Sequence, residues 1–240
     1  MVKVIFLDAG GTLIRPHPSV GHIYSHTATT HGVTVDPILL EKRFREAWKK
    51  RNGLSSIASQ TTEKEEKRWW RSLVEDVFAE EQTFFKKGTE PFSIFFEDLY
   101  ERFGHSDHWR LFDDSLPLLE TLKAQGFRLA ILSNWDHRLF GIVEGLGIRH
   151  YFEDVFASAA VGVAKPHAGI FQHALDQMKV RPEECLHVGD SMEDDYHGAR
   201  QMGIKGILLE RGGNTYNDVI SITSLKDLPS QLCQPSPEHH

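Results

Sequence analysis

A chain of 240 residues is long enough for one large or two modest domains with a genuine core. Its 40% hydrophobic and 25% charged residues are the composition of an ordinary globular protein. A net charge of −7 without a long basic run argues against nucleic acid or an anionic membrane as partner, and no stretch is long and apolar enough to span a bilayer. Cys185 and Cys233 lack metal or redox spacing, and no signal-peptide pattern is present, so a reducing, cytoplasmic setting is expected.

The first element is the apolar run Val4 to Leu7, rich in β-formers and bounded by glycines. It reads as a strand buried on both faces, as in a parallel sheet. Asp8 follows at its carboxyl end, where open α/β sheets bind ligands. Gly10 and Gly11 then let the backbone approach whatever Asp8 touches, and Thr12 adds a hydroxyl.

Leu13 to Pro18 reads as a connector, and helices follow. Ile23, Thr27 and Thr30 share a face of a helix ending near Gly32. Asp36-Pro37 is an N-cap with proline in the first turn, before Leu39, Leu40, Phe44, Ala47 and Trp48 at helical spacing. Asn52 to Gln60 reads as a loop. Thr62 with Glu65 forms a capping-box pattern. Trp69, Leu73 and Val77, beside Trp70, Val74 and Phe78, make the next apolar stripe, so the tryptophans are expected in a core. Phe92 to Phe103 is a further helix. Residues 16–108 therefore read as an all-helical insert.

From Asp113 strands and helices alternate. A helix capped near Asp114 or Ser115 leads to a strand over Phe127–Leu132, ending at Ser133-Asn134. A helix over His137–Leu146 precedes a short strand over Val155–Ala157. A helix over Gly169–Met178 precedes the strand Cys185–Val188, which ends at Gly189-Asp190. A helix over Met192–Met202 and a strand over Ile204–Leu209 follow. Such alternation implies a doubly wound parallel sheet. The expected division is an α/β core over 1–15 and 109–228, a helical cap over 16–108, and a loose tail over 229–240.

Asp8, Ser133-Asn134 and Asp190 each follow an apolar strand, so a parallel sheet brings them to one edge. Lys165 lies between a strand and its helix and can reach the same edge. Two carboxylates, a hydroxyl and an ammonium suit a divalent cation beside a phosphate.

In this order the residues resemble the four motifs of the haloacid dehalogenase-like (HAD) hydrolases. Asp8, Gly11 and Thr12 match the first motif, Ser133 the second, Lys165 the third, and Val188 to Asp195 the acidic fourth. The helical insert is similar to the family's C1-type cap. The Trp69-Trp70 pair and the Asp136-Arg138 context resemble the REG-2-like branch. The resemblance implies a Rossmannoid core and Mg²⁺-dependent hydrolysis of a small phosphorylated substrate through an aspartyl phosphate. It implies Asp8 as nucleophile and Lys165 as catalytic cation, with Thr12, Ser133, Asn134 and Lys165 at the phosphate. It implies Asp8, Asp190 and the Gly10 backbone carbonyl at the metal, supported by Asp194 and Asp195. No oligomeric state follows from it.

One position departs from the family's pattern. Gly10 stands where most family phosphatases carry a second Asp, which protonates the leaving oxygen. Losing general acid–base help typically costs about 10²–10⁴ in rate. A substitute acid could come from His17, His22, His137 or the cap. Substrates with good leaving groups, such as acyl phosphates, would need none. A catalytically impaired module that binds a metabolite or a protein is the alternative reading. A phosphonatase-like hydrolase using a Schiff base on Lys42, Lys49 or Lys50 is a minor one. Asp190 argues against a haloacid dehalogenase.

Overall fold

The computed structural model describes residues 1–51, 62–81, 92–214 and 216–232. The loop expected over Asn52–Gln60 lies outside the described residues. In chain order the elements are β1 (Val4–Leu7), β2 (Ile14–Pro16), α1 (Val20–Thr30), α2 (Pro37–Lys50), α3 (Glu63–Val77) and α4 (Phe92–Arg102). Next come β3 (Trp109–Leu111), α5 (Ser115–Ala124), β4 (Arg128–Ser133), α6 (Arg138–Gly145), β5 (Asp154–Ala157), the single turn α7 (Ser158–Val161) and α8 (Ala168–Met178). The chain continues with β6 (Cys185–Gly189), α9 (Gly198–Gln201), β7 (Lys205–Leu209), β8 (Ser221–Ile222) and α10 (Leu228–Leu232). No helix among the described residues is long and apolar enough to cross a membrane.

Six strands form one parallel sheet in the order β5-β4-β1-β6-β7-β8. Strand alternation splits its side chains between two layers. Ile5, Leu7, Leu129 and Ile131 face a core shared with α5 and α6. Val4, Phe6, Ala130 and Leu132 face the other side, against α8 and α9. The α/β class and the helix-flanked parallel sheet are as expected. β1 lies between β4 and β6, so the residues that follow these three strands emerge side by side.

The helices of the insert share a separate core in which Tyr24, Phe78 and Phe95 are buried. The caps read from the sequence are formed: Asp36 accepts the amides of Ile38 and Leu39, and Thr62 and Glu65 cap each other reciprocally. Where a plain connector was expected after Leu13, β2 pairs antiparallel with β3, Ile14 opposite Leu111 and Pro16 opposite Trp109. This two-stranded ribbon carries the chain out to the helical insert and back.

Two further differences have local causes. The expected helix over Met192–Met202 begins as a wider π-turn, Met192–His197, in which the Tyr196 amide bonds the Ser191 carbonyl. Single π-turns of this kind often sit at functional sites. Residues 229–232, the start of the expected loose tail, continue a helix that begins at the buried Leu228, the last residue of the expected core; 233–240 lie outside the described residues.

The carboxylate of Asp114 anchors the C-terminal segment to the core. It accepts from both Arg211 guanidinium nitrogens at 2.9 Å, from Ser224 Oγ at 2.8 Å and from the Leu225 amide at 2.9 Å. Burial opposes its charge, but these donors prevail and hold the carboxyl down at about 2. The depressed value means that the stabilisation is present above the unfolded pKa near 4 and is lost as pH falls through about 2. Asp114→Asn is expected to cost roughly 2 kcal/mol at neutral pH. Denaturant titrations from pH 7 downward should show the gap to wild type narrowing below about pH 4. A gap that stays constant would assign the cost to packing instead.

Candidate active site

β1 ends in Asp8, which is almost fully buried. Ser133, the last residue of β4, donates its Oγ hydrogen to Asp8 Oδ1 at 2.8 Å. Lys165 Nζ donates to the same oxygen at 2.8 Å, to Asp195 Oδ1 at 2.5 Å and to the Leu132 carbonyl at 2.9 Å. Both bonds to Asp8 land on Oδ1, so Oδ2 remains for chemistry. Asp195 is held in turn by His187 Nε2 at 2.8 Å and by the Ser191 amide at 3.0 Å. The π-turn after β6 sets Asp195 over Gly189, where an added Cβ would lie 2.1 Å from the carboxylate.

Charge balance follows from these contacts. Burial opposes the charge on Lys165, but Asp195 and Asp8 outweigh it and hold the proton firmly. Burial likewise opposes ionisation of Asp195, yet Lys165 and His187 keep it ionised. Burial lifts the Asp8 carboxyl above its ordinary value, against the pull of Lys165. Asp190 is lifted well above its own, by desolvation and then by the negative charges of Asp8 and Asp195.

Asp8, Asp190 and Asp195 each offer a carboxylate oxygen, and these atoms lie within 4.8 Å of one another. Asp195 is already engaged by Lys165, His187 and Ser191, which leaves Asp8 and Asp190 facing the cavity. Gly11, at φ +81, makes room for Asp190: an added Cβ would sit 2.2 Å from its Oδ2. Two mutually repelling carboxylates with open oxygens fit a hard divalent cation such as Mg²⁺, which takes one or two carboxylates and leaves positions for water and phosphate.

The site floors a cavity of about 860 Å³ roofed by α2 and α4 of the helical insert. Among the bonds that tie the helical insert to the core, Arg138 Nη1 donates to the Tyr100 carbonyl at 2.6 Å. Tyr100 OH donates to Asp136 Oδ2 at 2.9 Å, beneath the Arg138 guanidinium, and Ser158 Oγ donates to Glu66 Oε1 at 2.9 Å.

Asp8, Ser133, Asn134, Lys165, Asp190, Asp194 and Asp195 all come together here. Two assignments change. Thr12 is fully buried and off the cavity wall, its carbonyl accepting from Arg211 at 2.8 Å and its hydroxyl buried without a hydrogen-bond partner among the described residues, so it does not face the cavity. Asn134 spends its side chain on the Lys165 backbone, accepting at 2.7 Å and donating at 2.9 Å, so it positions the lysine. His17, His22 and His137 do not line the cavity, nor do Lys42 and Lys50; Lys49 does. Trp48 and Trp70 pack against the core of the insert, as expected, and also form part of the cavity wall. Reading the sequence missed His187, Trp135 and Arg211. A lone histidine in an apolar strand and an arginine just past β7 were the available signals.

A model of the haloacid dehalogenase-like hydrolase family matches residues 2–203, most of the chain. The chain belongs to the haloacid dehalogenase-like hydrolases. Among relatives of this HAD protein, human haloacid dehalogenase-like hydrolase domain-containing protein 3 is 32% identical over 208 residues, covering 87% of this chain and 82% of the relative. The rhythmically expressed gene 2 protein of Drosophila melanogaster is 28% identical, covering 89% and 85%. These two bear out the branch suggested by Trp69-Trp70 and Asp136-Arg138. A magnesium-bound structure of YfnB from Bacillus subtilis superposes with a TM-score of 0.75 at 18% identity, covering 97% of this chain and 99% of that one. At that identity the likeness concerns the HAD fold.

Proposed function

We infer that this HAD hydrolase is a Mg²⁺-dependent phosphatase of small phosphorylated compounds, working through an aspartyl phosphate on Asp8. The observation that carries the reading is the Asp8 carboxylate itself. One oxygen is pinned by Ser133 and Lys165, and the other is free toward a cavity whose floor also holds Asp190.

The chain's residues divide the work. Asp8 Oδ2 attacks phosphorus, and Oδ1 stays fixed, so the nucleophile is aimed before substrate arrives. Lys165 and Ser133 sit beside the attacking carboxylate and oppose the negative charge of the phosphoryl oxygens. Asp195 and His187 hold Lys165 in place and charged. The helical roof excludes water during transfer. A magnesium ion held by Asp8 and Asp190, with the Gly10 carbonyl as a further ligand, would neutralise charge between nucleophile and phosphate.

Phosphate release from acetyl phosphate and p-nitrophenyl phosphate tests this reading. Turnover is expected with Mg²⁺, to vanish in EDTA, and to return with excess Mg²⁺. Rapid-quench mass analysis should locate phosphate on Asp8. Turnover indifferent to EDTA would remove the metal from the reading. No turnover of either compound would favour a metabolite-binding module, which the absence of His17, His22 and His137 from the cavity would then explain.

A further inference from the structure

We propose that the indole of Trp135 forms the leaving-group wall of this site and that the enzyme selects phosphate monoesters of phenols. The inference rests on the phosphatase reading. It begins with the space above Gly10. A Cβ there would meet Trp135 Cζ3 at 3.0 Å, with Cη2 and Cε3 next nearest. Gly10 is not among the glycines at positive φ, so its lack of a side chain answers to this contact and not to its backbone. The six-membered ring of the indole occupies the volume that a side chain two residues past Asp8 would take.

The backbone of Trp135 is held by two hydrogen bonds, and its ring by packing. The Trp135 amide donates to Ser158 Oγ at 3.0 Å, and its carbonyl accepts from the Ala159 amide at 3.2 Å. Its ring packs on Trp109 with centroids 4.8 Å apart. Phe44, Trp48, Trp70 and Phe96 continue the aromatic lining toward the roof.

Direction of attack identifies what this lining receives. Phosphoryl transfer runs in line, so the leaving oxygen departs from the side of phosphorus opposite Asp8. Asp8 follows β1 on the floor, and the helices of the insert carry Phe44, Trp48, Trp70 and Phe96 into the same cavity. A flat ring there gains stacking and edge-to-face contacts that an alkyl chain does not.

The loop that carries the nucleophile supplies no proton donor at this position. Ala9, Gly10 and Gly11 place none on the Asp8 loop. Tyr100 has given its hydroxyl hydrogen to Asp136, and Glu41 accepts the Gly21 amide and pairs with Arg45. A phenolate tolerates this, because a phenol has a pKa of about 10 whereas water, close to an alkanol, has about 15.7. Asp8 Oδ2 bonds to phosphorus as the P–O(aryl) bond breaks, and the electron pair leaves on the phenolate, which takes a proton from water. Water then adds to phosphorus and the Asp8–phosphate bond breaks; one of that water's protons stays on the released phosphate and the other neutralises the hydroxide left when the phenolate was protonated. The sum is aryl phosphate plus water to phenol plus inorganic phosphate.

The test compares phenyl, benzyl, cyclohexylmethyl and acetyl phosphates on the wild-type protein with Mg²⁺. Benzyl and cyclohexylmethyl phosphate share an alkoxide leaving group, so their KM ratio reports ring recognition; benzyl should bind roughly tenfold tighter. Phenyl should exceed benzyl in kcat/KM by about 10²-fold or more, since the Asp8 loop supplies no acid to level the two leaving groups and kcat/KM reports the step in which they depart. In Trp135→Ala the kcat/KM ratio of phenyl to acetyl phosphate should fall roughly tenfold. Turnover of acetyl phosphate with equal KM for benzyl and cyclohexylmethyl would overturn the inference and leave the phosphatase reading standing. Equal kcat/KM for phenyl and benzyl would do the same. Turnover of none of the four would overturn both.

Discussion

Asp8→Asn should abolish turnover and leave the protein folded. Asparagine has the shape of aspartate, and its carbonyl oxygen can still accept from Ser133 Oγ and Lys165 Nζ, the two donors that fix residue 8. What it lacks is a nucleophilic oxygen and the negative charge opposite Asp190. The expected loss in kcat on p-nitrophenyl phosphate is on the order of 10⁴-fold or more, the scale seen when a covalent nucleophile leaves a group that acts as a unit. Stability should move little, because two effects oppose each other. The buried carboxylate carried a desolvation cost, seen in its raised pKa, and it also balanced Lys165. Lys165 keeps Asp195 as partner in the variant. Thermal melting beside kinetics separates the two readouts. A variant that melts like wild type and keeps activity within about tenfold would show that Asp8 is not the nucleophile.

Much of this arrangement was legible in the residues because parallel sheets report it directly. An apolar run that stops at a polar residue locates a strand end, and three such stops, after Leu7, Leu132 and Val188, share one edge. Asp8, Ser133 and Asp190 could therefore be placed together before any distance was known. What escaped depends on contacts across long separations. The ribbon of Ile14–Pro16 with Trp109–Leu111 joins three-residue strands about a hundred positions apart, too short to show alternation. The π-turn over Met192–His197 has helical composition, and only its hydrogen bonds distinguish it. Thr12 follows two glycines like a ligand-binding hydroxyl, yet Arg211, near the far end of the chain, draws its carbonyl inward. Trp135 has the composition of a core aromatic, and its role emerges only from what it leaves no room for at Gly10.

Lys165→Met tests whether the buried charge cluster is a scaffold as well as a catalytic device. The lysine is 2% exposed and bonded to two carboxylates and a carbonyl. Methionine fills similar volume but leaves Asp8 and Asp195 without their cation. Breaking a buried ion pair from one side costs about 3–5 kcal/mol, because the stranded charge stays desolvated. In a chain of this size that lowers Tm by roughly 6–20 °C. Kinetics should collapse as well, since the phosphoryl oxygens lose their fixed positive neighbour. The pH dependence carries the sign. Wild-type Lys165, with its pKa raised, contributes stability below its unfolded value near 10.4 that is lost only as pH rises through the folded one. Asp195, with its pKa depressed, contributes above its unfolded value near 3.9, and that contribution is lost in acid. In the variant both stranded carboxylates take up protons more readily, so the folded form binds more protons than wild type does. The stability gap should therefore be small in acid and widen as pH rises toward neutrality. A gap independent of pH between about 4 and 7 would mean that methionine disturbs packing alone, and that Asp8 and Asp195 are held by their other partners.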